Sequence, residues 1–384
     1  MMVESEERQA LRAAVRKLGL KYGRDYYLGK ARTGGKTSEL WREAGQLGYL
    51  GVHIPEEFGG GGGGIGDLAA VCEELAAAGC PLGLIVVSPA ICATVIHRFG
   101  TDDQRKKWLP GLIEGSLRFA FAITEPDAGS NSHRLSTVAT LDGGEWILDG
   151  RKTFISFVDE ADAVLVVART ADARTGKLKP CLFVVPTDAP GFEKQLIPME
   201  LVAPDKQFAL FLDGVRLPAD ALVGSEDAGL AQLFAGLNPE RITAAAFATG
   251  LARQALERAV EYAKTRQVWD VPIGTHQAIA HPLAVAHINV ELSRLMTQKA
   301  AALYDGGDDF GAGEAANMAK YSAGEAAIAA IDTAIQTHGG NGLSTEYGLA
   351  SMLAGARLIR LAPVSREMIL NFVAQNSLGL PKSY

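Results

Sequence analysis

The sequence predicts an α+β protein in which two helical regions flank a central β domain, and three observations carry that prediction. Apolar residues recur every three or four positions from residue 5 to about 116 and again beyond Gly229. Between about 117 and 225 they alternate in short runs separated by turn residues. Nowhere do strands and helices interleave as a doubly wound nucleotide fold requires, so any dinucleotide is held without the usual glycine fingerprint. At 384 residues the chain has room for two or three domains of roughly 100 to 200 residues, with expected divisions at 1–120, 121–229 and 230–384.

In the first region SEERQALRAAVRKLG, SELWREAGQLG, GDLAAVCEELAAAG and TDDQRKKWLPGLIEG carry helical spacing, and Gly19, Gly48, Gly79 and Gly115 stand where each should stop. FGGGGGGIG at 58–66 predicts a loop reaching past something bulky, because glycine loses too much backbone entropy in a regular element. Positions 75–96 hold no formal charge over 22 residues, yet Gly79, Pro81, Gly83, Ser88 and Pro89 interrupt them. Buried, broken helices are expected there, not a membrane span.

The central region offers RFAFAIT, STVATL, EWIL, DAVLVVART, PCLFVVPT and QFALFL as strands, punctuated by Asp142-Gly143, Asp149-Gly150, Thr175-Gly176 and Asp213-Gly214. Helices then return over 239–265, 276–303 and 312–338, with two more within 346–376; their many alanines predict close helix contacts or subunit packing. In LNPERITAAAF, Asn238 can cap a helix, Pro239 suits its first position, and Glu240 falls in the first turn, where the helix dipole favours an acid.

Composition narrows the function. A net charge of −7 without a basic run argues against nucleic acid. Four cysteines without CxxC or zinc-like spacing indicate buried thiols in a reducing compartment, and the N-terminus lacks the apolar run of a secretory signal, so a cytoplasmic protein is expected. His276, His281 and His287 are spaced onto different helix faces, and no metal is expected.

At 121–131 the sequence FAITEPDAGSN resembles the acyl-CoA dehydrogenase flavoprotein family, and the likeness continues through LGYLGVHIPEEFGG, FGTDDQRKKWLPG, DGRKTFIS, RQVW and QTHGGNGLSTEYG over essentially the whole chain. The resemblance implies an N-terminal helical domain, a central β domain and a C-terminal four-helix bundle, assembled as a homotetramer of two dimers. It also implies FAD, an acyl-CoA substrate and an electron-transferring flavoprotein as electron acceptor. By the same resemblance Phe121, Ile123, Thr124 and Ser130 contact the flavin and its phosphates, Phe154 covers the ring, and Ser156 reaches flavin N5. Period two on a strand would point Phe154 and Ser156 to one side. Arg266, Trp269, Gln277, Gln336, Gly339, Gly340, Ser365 and Glu367 correspond to further FAD contacts, some across a subunit boundary; Ser130, Asn238, Arg241 and Val364 correspond to substrate contacts.

One departure decides the chemistry. Many family members carry a Tyr-Glu-Gly-Thr segment whose glutamate takes the substrate α-proton, but Pro363 occupies that glutamate's place here. Glu240-Arg241 matches the alternative base position of isovaleryl- and long-chain-type members. The implied reaction is α-proton abstraction by Glu240 with β-hydride transfer to flavin N5, giving trans-2-enoyl-CoA. A base at a helix N-terminus would have its basicity lowered, so burial must outweigh the dipole. Asn131, Ala354-Gly355 and Asp270 also depart from the family pattern. An oxygen-using acyl-CoA oxidase and a degenerate subunit stabilising an active partner are the rival readings; oxygen uptake and FAD content of the chain alone would separate them.

Overall fold

Ser5 accepts a hydrogen bond from Arg8 N at 3.3 Å and caps the first helix, α1 (Glu6–Thr33). The computed structural model describes residues 4–171, 175–226 and 229–382; the first three residues of the N-terminal stretch discussed above lie outside these. Contrary to expectation, α1 runs straight through Gly19. A Cβ there would stand 2.5 Å from Ala78 Cβ, so this glycine is a close contact with the end of α3 (Ile65–Ala77), and the break comes at Gly23, with φ 72° and ψ 175°. Gly48, Gly79 and Gly115 do take positive φ directly after helical turns, following α2 (Ser38–Gln46), α3 and α6 (Asp102–Glu114).

The glycine run folds onto backbone at its centre and passes side chains at its end, where a Cβ on Gly64 would meet the Asp305 carboxylate and one on Gly66 the Arg8 guanidinium. Gly61, Gly62 and Gly63 donate to the carbonyls of Gly51, Ile54 and Val52 at 2.9–3.0 Å, and a Cβ on Gly60 would meet Ile54 O at 2.0 Å. The uncharged stretch becomes the end of α3, a turn, α4 (Leu84–Val87), a π-helical turn over Ser88–Ala93 and α5 (Thr94–Phe99). Among the described residues no helix is long and apolar enough to cross a membrane.

The central sheet is ordered β1-β4-β2-β3-β7-β6, with β5 paired to β4. Its strands are β1 (Phe119–Ala122), β2 (Val138–Asp142), β3 (Glu145–Ser156), β4 (Ala163–Ala171), β5 (Leu178–Pro186), β6 (Phe192–Ile197) and β7 (Gln207–Pro218). Two of the expected turns are not turns. Asp149-Gly150 and Asp213-Gly214 lie within β3 and β7, where the register shifts between Leu148 and Gly150 and Asp149 Oδ1 accepts from Gly214 N at 2.8 Å. Two such dipeptides facing each other make a bulge, which costs less pairing than ending both strands.

The C-terminal region packs α7 (Gly229–Thr265), α8 (Gln277–Asp305) and α9 (Asp309–His338) with the shorter α10 (Ser351–Leu361) and α11 (Arg366–Phe372). Alanines such as Ala316, Ala319, Ala323 and Ala327 are fully buried on α9 and let the helices close on one another. α3 joins this bundle ionically: its buried Glu73 and Glu74 meet Arg12 of α1, Arg253 of α7 and, for Glu73, Arg294 of α8, at 2.6–3.2 Å.

α7 begins at Gly229, not at Pro239, which corrects the expected helix start. Proline inside a helix leaves the carbonyl four residues back without its donor. That carbonyl, Ala235 O, accepts from Tyr304 OH of α8 at 3.1 Å, so a side chain from another helix repairs the gap. Asn238 is accordingly no cap: its Nδ2 donates to Asp309 O and its Oδ1 accepts from Arg241, both at 3.1 Å.

Candidate active site

An apolar cavity of roughly 170 Å³ opens between α1, α4, the β domain, α7 and α10. Glu240 lines it, as do Ser156 and Pro363. The position expected to hold a base in many relatives and the position proposed to replace it thus share one chamber. Because α7 starts ten residues earlier than anticipated, Glu240 sits inside a continuous helix, and the expected opposition from a helix N-terminus does not arise.

Among the described residues no donor is bonded to the Glu240 carboxylate. Burial pushes its pKa up to about 7, against the opposing pull of Arg241 and Lys320. Arg241 is buried with Nε unpartnered. Lys320, 1 % exposed on α9, donates from Nζ to Val364 O, and burial holds its own pKa down to about 8. Sequence reasoning missed this lysine, although a cation amid the alanines of AANMAKYSAGEAAIAAI was the available signal.

Of the β-domain motifs, Ser156 reaches the cavity, while the segment at 121–130 and Phe154 lie outside its lining. Thr124 O accepts from Thr153 N at 2.9 Å, while Phe121 and Ile123 pack half-buried on the core beneath. Glu125 accepts from Lys152 Nζ at 2.8 Å, from Ser136 N and Oγ at 2.6 and 2.7 Å, and from Thr137 N at 3.0 Å. Strict alternation fails just beyond: the β3–β7 register gains a residue between Lys152 and Ile155, and Phe154 takes φ 55°. Phe154 is left 57 % exposed, and Ser156 is held by Gln207, which accepts at Oε1 (3.0 Å) and donates from Nε2 (2.8 Å). Phe157, at φ 67°, is a second residue in the left-handed region. Two such phenylalanines flanking one serine mark a backbone held against its preference, a pattern typical of functional sites. Ser130 is exposed on its loop and does not line the cavity.

The remaining predicted contacts divide into two groups. Val364, Ser365 and Glu367 follow Pro363 in the chain without lining the cavity themselves, and Ser365 Oγ caps α11. Arg266, Trp269 and Gln277 gather instead at the far end of α7. There a two-residue hairpin joins β8 (Gln267–Val268) to β9 (Val271–Pro272) with Trp269 and Asp270 at φ 50° and 63°, and the Trp269 ring, 83 % exposed, meets His276 edge-on at 5.7 Å. Exposed Gln336, Gly339 and Gly340 end α9 on the same side, where His338 stacks on Tyr262 at 4.2 Å. From Glu240 to Arg266 the helix spans about 39 Å at ~1.5 Å per residue. Among the described residues no group of three His, Cys, Asp or Glu side chains could hold a metal ion, and all four cysteines are buried.

Residues 5–116, 120–203 and 227–378 match, respectively, the N-terminal, middle and C-terminal domains of acyl-CoA dehydrogenases. The chain belongs to the acyl-CoA dehydrogenase family. It is 66 % identical over 382 residues to acyl-CoA dehydrogenase FadE12 of Mycobacterium tuberculosis, covering 100 % of this chain and 98 % of that protein. A solved glutaryl-coenzyme A dehydrogenase–glutaryl-CoA complex shares 31 % identity, with a TM-score of 0.94, over 100 % and 98 % of the two chains. A Mycobacterium smegmatis glutaryl-CoA dehydrogenase solved with FADH2 shares 28 % identity with a TM-score of 0.90 over 99 % and 96 %. Acyl-CoA dehydrogenase-type oxidoreductase chemistry follows from that membership, and the helical, β and helical-bundle regions are those of the family fold.

Proposed function

We propose that this protein is an FAD-dependent dehydrogenase that converts an acyl-CoA thioester to its trans-2-enoyl product, with Glu240 as the base. The observation that carries this reading is a carboxylate without a hydrogen-bond partner, lining an apolar cavity it shares with Ser156 and Pro363, its pKa raised to about 7. A base with a pKa near the working pH transfers protons most effectively.

The residues present fit the cofactor. Phe154 offers an exposed ring face beside the Ser156 hydroxyl, and Arg266, the protruding Trp269 and the unobstructed Gly339-Gly340 backbone suit an anionic, aromatic ligand end. Bound there, FAD supplies the acceptor for the hydride that leaves the substrate β-carbon. Glu240 takes the α-proton, the apolar walls exclude water from the carboxylate, and Gln207 fixes the direction of the Ser156 hydroxyl. Because Arg266 lies about 39 Å along α7 from Glu240, one chain supplies the two halves of the ligand site at opposite ends, and a second copy completes each. The apolar stripe of Val285, Ile288, Leu292 and Leu295, exposed on α8, supports assembly into the homotetramer. An electron-transferring flavoprotein is the proposed acceptor of the electrons.

The test is anaerobic mixing with a panel of acyl-CoA thioesters while following loss of flavin colour. Wild type should bleach, and Glu240→Gln should bleach slower by about 10³-fold. Equal rates in the two proteins would remove Glu240 from the reaction.

A further inference from the structure

The cavity wall away from Glu240 is not uniformly apolar. Asp205, in the segment leading into β7, and Tyr27, on α1, both line it. Tyr27 is 6 % exposed, and among the described residues neither its hydroxyl nor the Asp205 carboxylate has a hydrogen-bond partner. Two polar groups without a bond from the described residues, at one wall of an otherwise greasy chamber, are open to hydrogen bonds from a ligand.

The fold makes room for them at a specific place. A Cβ on Gly83 would lie 2.8 Å from Asp205 Oδ2 and 3.0 Å from Phe157 Cζ, so the carboxylate rests against a residue that has no side chain. Burial, together with the charges of Glu160 and Asp159, pushes the Asp205 pKa up to about 7, and Asp205 and Glu240 do not shift one another. Tyr27 in turn feels the Asp205 charge. The cation on this wall, Arg24, donates to Gly348 O, to Ser351 Oγ at 3.1 Å and to Gln254 Oε1 at 3.4 Å, with its Nε left unpartnered.

Resting on the dehydrogenase reading above, we infer that Asp205 and Tyr27 are specificity residues that select an acyl group bearing a neutral hydroxyl beyond its β-carbon. The carboxylate accepts from that hydroxyl and the Tyr27 O–H donates to it, so each group gains the partner it lacks. A terminal carboxylate, as in a glutaryl thioester, would face Asp205 with Glu160 and Asp159 behind it and be repelled. A plain alkyl chain would leave both groups unpaired, and sites built around a substrate hydroxyl reject analogues lacking it.

The experiment uses the FAD-loaded enzyme with acyl-CoA thioesters of one chain length, differing only in a plain, hydroxyl-, amino- or carboxyl-bearing end, and compares kcat/KM for flavin reduction. Wild type should prefer the hydroxylated thioester over the plain one by about tenfold or more. Asp205→Val should collapse that ratio and Tyr27→Phe should reduce it, with FAD content and thermal unfolding confirming folded protein. Should Asp205→Val fail to fold, the Tyr27→Phe ratio decides alone. Preference for the plain, amino or carboxyl thioester, or a ratio unchanged in the folded variants, overturns the inference while leaving the dehydrogenase intact. Failure to bleach with every thioester overturns the dehydrogenase reading and this inference with it.

Discussion

Two glutamates, each taken out of bulk water and each close to a buried lysine, behave in opposite ways. Glu125 in the β domain receives Lys152, both Ser136 donors and Thr137 N; although burial alone would raise its pKa, these partners bring it down to about 2. Glu240 on α7 has Arg241 and Lys320 nearby but no hydrogen bond, and burial wins, at about 7. The difference teaches that a neighbouring positive charge does not by itself fix a buried acid in its ionised form. Directional donors do, and their absence at Glu240 leaves its lone pairs free.

The sharpest way to break this comparison is to remove one lysine from each pair. Lys152→Met strands a carboxylate in the β domain and should cost about 3–5 kcal/mol in urea unfolding; a cost below ~1 kcal/mol would show that the backbone donors suffice. Lys320→Met should act mainly on function. With one of the two charges that hold Glu240 down removed, the basic form appears later, and the rising limb of the pH–rate profile for flavin reduction should move to higher pH. A limb that stays in place would mean that the Lys320 charge does not act on Glu240.

The smallest expected effect is on stability, and its sign differs between the two acids. Glu125, depressed, contributes stability that is present above pH ~4.5 and lost as pH falls toward 2. Glu240, raised, contributes stability that is full below pH ~4.5 and lost as pH rises through about 7. Glu240→Gln, which cannot ionise, should therefore melt a few degrees above wild type at pH 8 and show little difference at pH 5. A variant that melts lower at pH 8 would mean that the charged carboxylate is already satisfied.

Much of the architecture was legible because periodicity and chirality are local. The change from helical to strand spacing near residue 117, and the left-handed glycines at 48, 79 and 115, need no distant partner. Gly19 misled because a glycine kept for contact with Ala78 looks the same in sequence as one that ends a helix. Strand β6 escaped notice because FEKQLI lies at the sheet edge with its side chains largely exposed, so no alternation marks it. Asn238-Pro239-Glu240 reads locally as a helix start, and only Tyr304 on another helix makes it an interior. The site shows the same division: Glu240, Ser156 and Phe154 came from motifs, whereas Lys320, Gln207, Asp205 and Tyr27 enter through folding contacts that neighbouring sequence does not encode.

On the proposed site completed by a second copy, the long span of α7 has a genetic consequence. A chain altered at Glu240 still carries an intact Arg266 end, and a chain altered at Arg266 still carries an intact Glu240 end. Co-expressed, the Glu240→Gln and Arg266→Ala chains should rescue one another in mixed assemblies, where the sound halves of two damaged polypeptides meet, although neither works alone.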